Sequence, residues 1–307
     1  QQGWFSKVVW VVPVAKDDEL LPLADFKEMM RKQASGWEED IETFEESENG
    51  AYAGVLGGVP VDVVSIDRLP IIKDPLLVHF DTGFFSVIYT NEVKTPIYPM
   101  LAGHFVHLAK RKYPVLDISV SYDNLNFEVP LTQRFMANDI VAIIADPVQM
   151  TAPSKEMQLR GEIRYLDSFF QPDTILQKAR ELVGLNDQSA DSHFILYRAL
   201  RQNRQLDQGL AELERAAELD PIYANEFIEL VNHALEKKQY QAAVAMIDSA
   251  IKALPDHPLI KLRKAQILME MGNKKEASPL VEVLEKLPWS DFYYPSIRQA
   301  LAKLRES

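Results

Sequence analysis

The side chains of this chain whose type and spacing could do chemistry lie around residues 76–85, LLVHFDTGFF. An apolar strand there delivers His79 and Asp81, which the two-residue period of a strand places on one face. An imidazole and a carboxylate at a strand end can hold a divalent cation or a polarised substrate group, and in parallel α/β layers function gathers at such ends. Asp67 and Asp123 follow predicted strands in the same way, and Asp62 lies inside one. The competing reading of Asp81 is a carboxylate that braces the loop after it. His104 and His107, three apart on a predicted helix, share a face but have no placed carboxylate. The glycines of GVLGG (54–58) precede a strand, so they read as a tight turn and not as a phosphate cradle. Ser119, Ser121 and Tyr122 stand near a strand end without an assignable histidine. Neither a G-x-S-x-G elbow nor a Walker-type loop occurs.

The apolar strand ending in Asp81, the aromatics after it, and the second strand VLDISVSYD (115–123) resemble the arginase and histone-deacetylase-like α/β hydrolases over residues 60–146. That resemblance implies a metal-dependent amide or C–N hydrolase, with a divalent metal such as Zn or Mn held by ligands drawn from Asp62, Asp67, His79 and Asp81. The chain departs from the pattern where Gly83 stands in place of a second aspartate, and no His-x-Asp-x-x-x-Asp run lies upstream. With Gly83 the resemblance implies a hydrolase-like shape without a working metal centre and without a cofactor.

The elements that must position these residues alternate. KVVWVVPVA (7–15), VPVDVVSI (59–66), PLLVHF (75–80), PVLDISV (114–120) and DIVAIIA (139–145) read as buried strands. Residues 17–33 and 95–111 read as helices, the second closed by Lys110, Arg111 and Lys112 at its negative end. Residues 150–171 are polar and mixed, and read as a strand edge or linker. Together these predict an α/β domain with a mostly parallel sheet of about five strands over residues 1–171, followed by helices over 172–307.

Composition bounds the function classes. The 307 residues carry a formal charge of −12, and residues 1–172 hold 15 basic and 25 acidic side chains. Seven acids and no base lie in WEEDIETFEESENG (37–50), which reads as a solvated helix or loop. Such a balance repels polyanions, so no nucleic acid is expected as a partner. No apolar run is long enough to span a membrane. Cysteine is absent, which excludes disulfides and thiolate sites and suits cytoplasm or periplasm alike. The start, Gln-Gln-Gly without Met or leader, suggests a trimmed mature chain.

The C-terminal third repeats. Pro221, Pro255 and Pro288 close three similar stretches at spacings of 34 and 33 residues. In each, a small residue (Gly209, Ala243, Ala277) is followed by Leu213, Ile247 or Val281, then by Ala216, Ala250 or Leu284. Repeats of this length are helix–turn–helix units stacked into a solenoid. Residues 191–288 resemble three tetratricopeptide repeats, the middle one most closely, with Phe227 and Leu230 on its first helix. The first copy departs at Tyr197 and Leu200, the third at Lys264 and Ala265, and Gly272 falls at the inter-helix turn. The resemblance implies that the first helices line a concave groove for a peptide or protein. Arg198, Asn232 and Gln266, each 34 apart, would form a polar ladder in it. Arg201, Gln202, Asn225, Leu235, Glu236, Met269 and Glu270 would flank that ladder. Residues 291–306 are expected to cap the solenoid, Phe292, Tyr293 and Tyr294 covering the last repeat. The reading is a non-catalytic interaction or scaffold protein; the alternative is the metal-dependent hydrolase with its repeats recruiting substrate.

Overall fold

The computed structural model describes residues 5–14, 20–33, 36–47, 50–85, 96–121 and 129–306. Two compact units divide the chain, residues 1–170 and 171–307. The first unit contains two separate sheets. In one, β1 (Val8–Val11) runs parallel to β4 (Val59–Val64), β4 pairs antiparallel with β3 (Ala51–Leu56), and β3 antiparallel with β2 (Glu45–Ser47). The β3–β4 hairpin turns on Gly57 and Gly58, whose φ angles of 58° and 77° suit glycine and match the twist of the strands. The GVLGG segment is therefore strand plus turn. Helix α1 (Leu23–Gln33) buries Phe26 and Met30 against Ile41, Phe44, Tyr52 and Val63. The Phe26 ring lies 5.5 Å from that of Phe44 and 5.4 Å from that of Tyr52. Phe44 covers Gly54 so closely that a Cβ there would come within 2.6 Å of the ring.

The acidic run is neither one helix nor a free loop. It forms the short helix α2 (Glu38–Glu42) and then the edge strand β2, whose Glu45 and Glu46 discourage further strand pairing. Its Asp40 turns inward, accepting from the Gly57 amide at 2.6 Å. Of the helix expected over residues 17–33, positions 17–19 lie outside the described residues.

The second sheet is a two-stranded parallel ladder of β5 (Leu76–Asp81) and β6 (Val115–Ser121). Between these strands runs α3 (Ile97–Arg111), and Phe80 and Val120 pack on the cluster that includes its Met100, Leu101 and Phe105. A single, largely parallel sheet of five strands is not what the described residues build. DIVAIIA is not a strand: it completes α4 (Phe135–Ala145), which buries Phe135, Met136, Ala137, Ile140 and Ile143. A short buried apolar run fits either structure, and here Phe135–Ala137 extend it to helical length. Residues 150–171 are not a linker, because α5 (Lys155–Asp167) occupies them. Its N-terminus is capped by Ser154, whose hydroxyl accepts from the Met157 amide at 3.2 Å.

The second unit is entirely helical: α6 (Pro172–Leu185), then three antiparallel pairs and a last helix. The pairs are α7 (Ala190–Gln202) with α8 (Leu206–Leu219), α9 (Ala224–Glu236) with α10 (Tyr240–Ala253), and α11 (Pro258–Glu270) with α12 (Lys274–Glu285). Gly209, Ala243 and Ala277 are buried at the helix crossings, as are Leu213, Ile247 and Val281. Each pair turns on one left-handed residue at the same place, Arg204, Lys238 and Gly272, with φ of 58°, 57° and 76°. The next amide then reaches back five residues, Gln205 to Leu200 O, Gln239 to Ala234 O and Asn273 to Leu268 O, at 2.8–2.9 Å. Helix α13 (Ile297–Glu306) closes the stack by burying Ile297 and Leu301 against Leu262, Ala265 and Leu284. The expected aromatic cover is different: Phe292 and Tyr293 are exposed, while Trp289 is buried and donates Nε1–H to Leu284 O at 2.7 Å. Among the described residues no helix is long and apolar enough to cross a membrane.

Candidate functional site

The candidate metal ligands do not converge. Asp62 sits mid-strand on β4 and pairs with Lys7 at 2.5 Å. Asp67 follows that strand and faces His107 Nδ1 at 3.9 Å. His79 and Asp81 lie on the exposed face of β5, in the other sheet. Asp81 accepts from the Gly83 amide at 2.8 Å, so its carboxylate braces the turn after the strand. Among the described residues no three His, Cys, Asp or Glu side chains gather as a metal site. Asp123 and Tyr122 lie outside the described residues. The parallel register brings His79 opposite Ser119, with Nδ1 2.9 Å from the hydroxyl. That pair was invisible in the sequence, because only the strand pairing makes the two neighbours. His104 Nδ1 turns onto its own helix at Met100 O, 2.8 Å away.

The three residues expected to form a polar ladder occupy matching places in the repeat unit. Arg198 on α7, Asn232 on α9 and Gln266 on α11 recur at the same helical position and are each half-buried, while Tyr197, Val231 and Ala265 beside them are buried. Neighbouring first helices are tied along this face. The Tyr197 hydroxyl donates to Glu226 at 2.7 Å, and Arg201 Nη1 donates to the same carboxylate at 3.0 Å and to the Tyr197 oxygen at 3.1 Å. Burial, and then the Glu226 carboxylate, holds the Tyr197 phenol well above its ordinary pKa. Arg263 Nη2 donates to Asn232 at 3.4 Å, joining α11 to α9. Among the described residues no side-chain hydrogen bond or ion pair engages Asn225 or Gln266, both half-buried. Arg201 and Gln202 are exposed at the end of α7.

Two further ties belong to the first repeat. Tyr223 donates its hydroxyl to buried Asp191, and both ring nitrogens of buried His193 meet acceptors, Glu212 at 2.6 Å and Asp187 O at 3.0 Å. Sequence reasoning missed these. The available signal was the first repeat's departure from the usual small residues at Tyr197.

What this face can do chemically is present amides, guanidinium groups and apolar edges at one-repeat intervals. Residues 234–288 match the family model described as tetratricopeptide repeat, from the end of α9 through α12 to Pro288. No curated protein matches the chain. The C-terminal unit is thus a helical region in which residues 234–288 match the tetratricopeptide repeat, a kind of module that serves protein–protein interaction.

Proposed function

We propose that the chain is a non-catalytic interaction protein whose repeat unit holds an extended peptide segment of another protein along α7, α9 and α11. The observation that carries this reading is the recurrence of Arg198, Asn232 and Gln266 at 34-residue intervals, half-exposed, on the first helix of each pair. An extended chain repeats its backbone amides and carbonyls, so an array of long polar side chains can bond to it without regard to side-chain identity. Leu235 and Met269, also half-buried, supply apolar contacts beside the ladder, with Glu236 and Glu270 at its rim. Arg201 and Gln202 extend the surface at one end of α7, and Asn225 stands in the first turn of α9. This reading assigns the first unit no cofactor; there Asp62, Asp67, His79 and Asp81 each face a different neighbour.

The test is selection of peptides from a random phage-displayed library on the immobilised full chain, then calorimetry with the selected peptide. Asn232→Ala and Gln266→Ala are each expected to weaken binding about tenfold, the worth of one or two hydrogen bonds at a buried contact. Both sites are half-exposed, so the variants keep their helical circular dichroism. Unchanged affinity in both rejects the groove as the binding surface.

A further inference from the structure

Three segments meet at the end of the β5–β6 ladder where both strands begin. The Leu76 amide donates to Pro114 O at 2.9 Å, and Leu76 stands opposite Val115. The Tyr113 hydroxyl donates to Pro70 O at 2.7 Å, which draws the loop before β5 to the start of β6. Helix α3 ends there too, and Lys112, left-handed at φ 52°, turns the chain into Tyr113. The register skips Leu116, since Leu76 faces Val115 and Leu77 faces Asp117. That bulge leaves Leu116 without a residue opposite, 72% exposed. Ile71 in the loop is 81% exposed, Leu77 58% and Val115 42%. Several large apolar side chains together in water mark an interaction site, whereas single ones are ordinary.

Charges of both signs surround this end, and the bases are the less engaged. Lys73, Lys110 and Lys112 are exposed, and among the described residues no carboxylate pairs with any of them. Of the acids, Asp117 accepts from the Ile118 amide at 2.8 Å and Asp67 faces His107, while Asp74 is exposed. Three uncompensated ammonium groups thus stand together on a chain whose formal charge is −12.

We infer that this end of the first unit docks on an anionic lipid bilayer, with Ile71 and Leu116 entering the interface and Lys73, Lys110 and Lys112 meeting the headgroups. An interfacial site needs both parts: apolar area to lie below the headgroups, and bases to be drawn by the negative surface. Lysine suits the second part, because its stem can lie along apolar surface while the ammonium stays at headgroup level. Leu77 and Val115 widen the apolar area. A protein partner would instead be met by anchors seated in well-packed recesses. Here the two most exposed apolar side chains stand out from a loop and a bulge. The surface belongs to the first unit alone and is independent of the peptide-binding reading of the repeats.

Flotation of the full chain with lipid vesicles measures this directly. The chain is expected to float with phosphatidylcholine vesicles containing about one-third phosphatidylserine, to float far less with phosphatidylcholine alone, and to be released by about 0.5 M salt. Ile71→Ser combined with Leu116→Ser is expected to weaken binding about tenfold or more. Lys110→Gln and Lys112→Gln are each expected to weaken it about fivefold. All four side chains are exposed, so the variants keep the wild-type circular dichroism. Val283→Ser, at an exposed apolar position of α12, is the control and is expected to bind like the wild type. Equal binding to both kinds of vesicle, binding to neither, or undiminished binding by the Ile71 and Leu116 variant overturns the proposal. Retention on polyglutamate beads without vesicle binding assigns the lysines to an acidic protein, and overturns it as well.

Discussion

Arg160 and Asp139 are the most deeply buried ion pair among the described residues, with side chains 6% and 2% exposed. Taking two charges out of water costs several kcal/mol each, so the pair persists only because its donors and acceptors are met. Arg160 Nη2 and Nε both donate to the Asp139 carboxylate, and the Tyr98 hydroxyl donates to Oδ2 at 2.7 Å. The guanidinium also lies 5.7 Å from the centre of the Phe135 ring. These contacts join α3, α4 and α5, which is why the polar stretch around residue 160 is helix and not linker. Arg160→Met leaves the carboxylate buried without its counter-charge, and is expected to destabilise the first unit by about 3–5 kcal/mol in urea unfolding. Adding Asp139→Leu is expected to restore most of that loss, because an apolar pair of similar volume requires no solvation. If the double variant is no more stable than the single one, the pair is not what the helices depend on.

Helix pairs repeat the same packing problem, and that is what made the second unit legible. A small residue at each crossing, a bulky one a turn later and a stop near the proline recur because every pair closes in the same way. The turn itself was legible once only: Gly272 announces a left-handed residue, whereas Arg204 and Lys238 adopt the same conformation with side chains that conceal it. In the first unit the β-branched runs revealed four of the six strands, but not which strands pair, and pairing is what brings His79 to Ser119. Residues 139–145 misled because a buried run shows no period. The aspartate heading that run was the overlooked signal, since a buried charge demands a partner, and Arg160 lies one helix away. The crossings allow a comparison within the chain. A Cβ on Gly209 would meet Tyr197 O at 3.4 Å and Leu200 Cβ at 3.6 Å, ordinary contact distances. Alanine already stands at the equivalent places, 243 and 277. Gly209→Ala is therefore expected to stabilise the repeat unit by about 0.5–1 kcal/mol, through helix propensity and a less free unfolded chain. Gly209→Leu is expected to cost about 1–3 kcal/mol by overpacking. Thermal unfolding decides it, and a lower midpoint for the alanine variant would mean the α7–α8 crossing has less room than its neighbours.

Across the whole molecule the two units share one electrostatic device, a buried tyrosine hydroxyl donating to a carboxylate: Tyr98 to Asp139 in the first, Tyr197 to Glu226 in the second. Burial is the larger cause of the raised phenol pKa in both, the carboxylate adds to it, and the nearby Arg160 or Arg201 opposes without cancelling it. The consequence for stability has a definite sign. In the unfolded chain both phenols ionise near pH 10, whereas in the folded chain they keep their protons to higher pH. Below pH 10 both states are protonated and the full contribution is present. Above it the unfolded state releases protons that the native state retains, so stability falls as pH rises, by about 1.4 kcal/mol per pH unit for each tyrosine. Denaturant midpoints measured from pH 8 to pH 11 should therefore be level and then decline. Tyr98→Phe should flatten the decline for the first unit and Tyr197→Phe for the second, each at the cost of one hydrogen bond at neutral pH. A decline unchanged in both variants would mean that these phenols ionise as readily in the native chain as in the unfolded one, and the buried carboxylate contacts would then have no part in setting the alkaline limit of the fold.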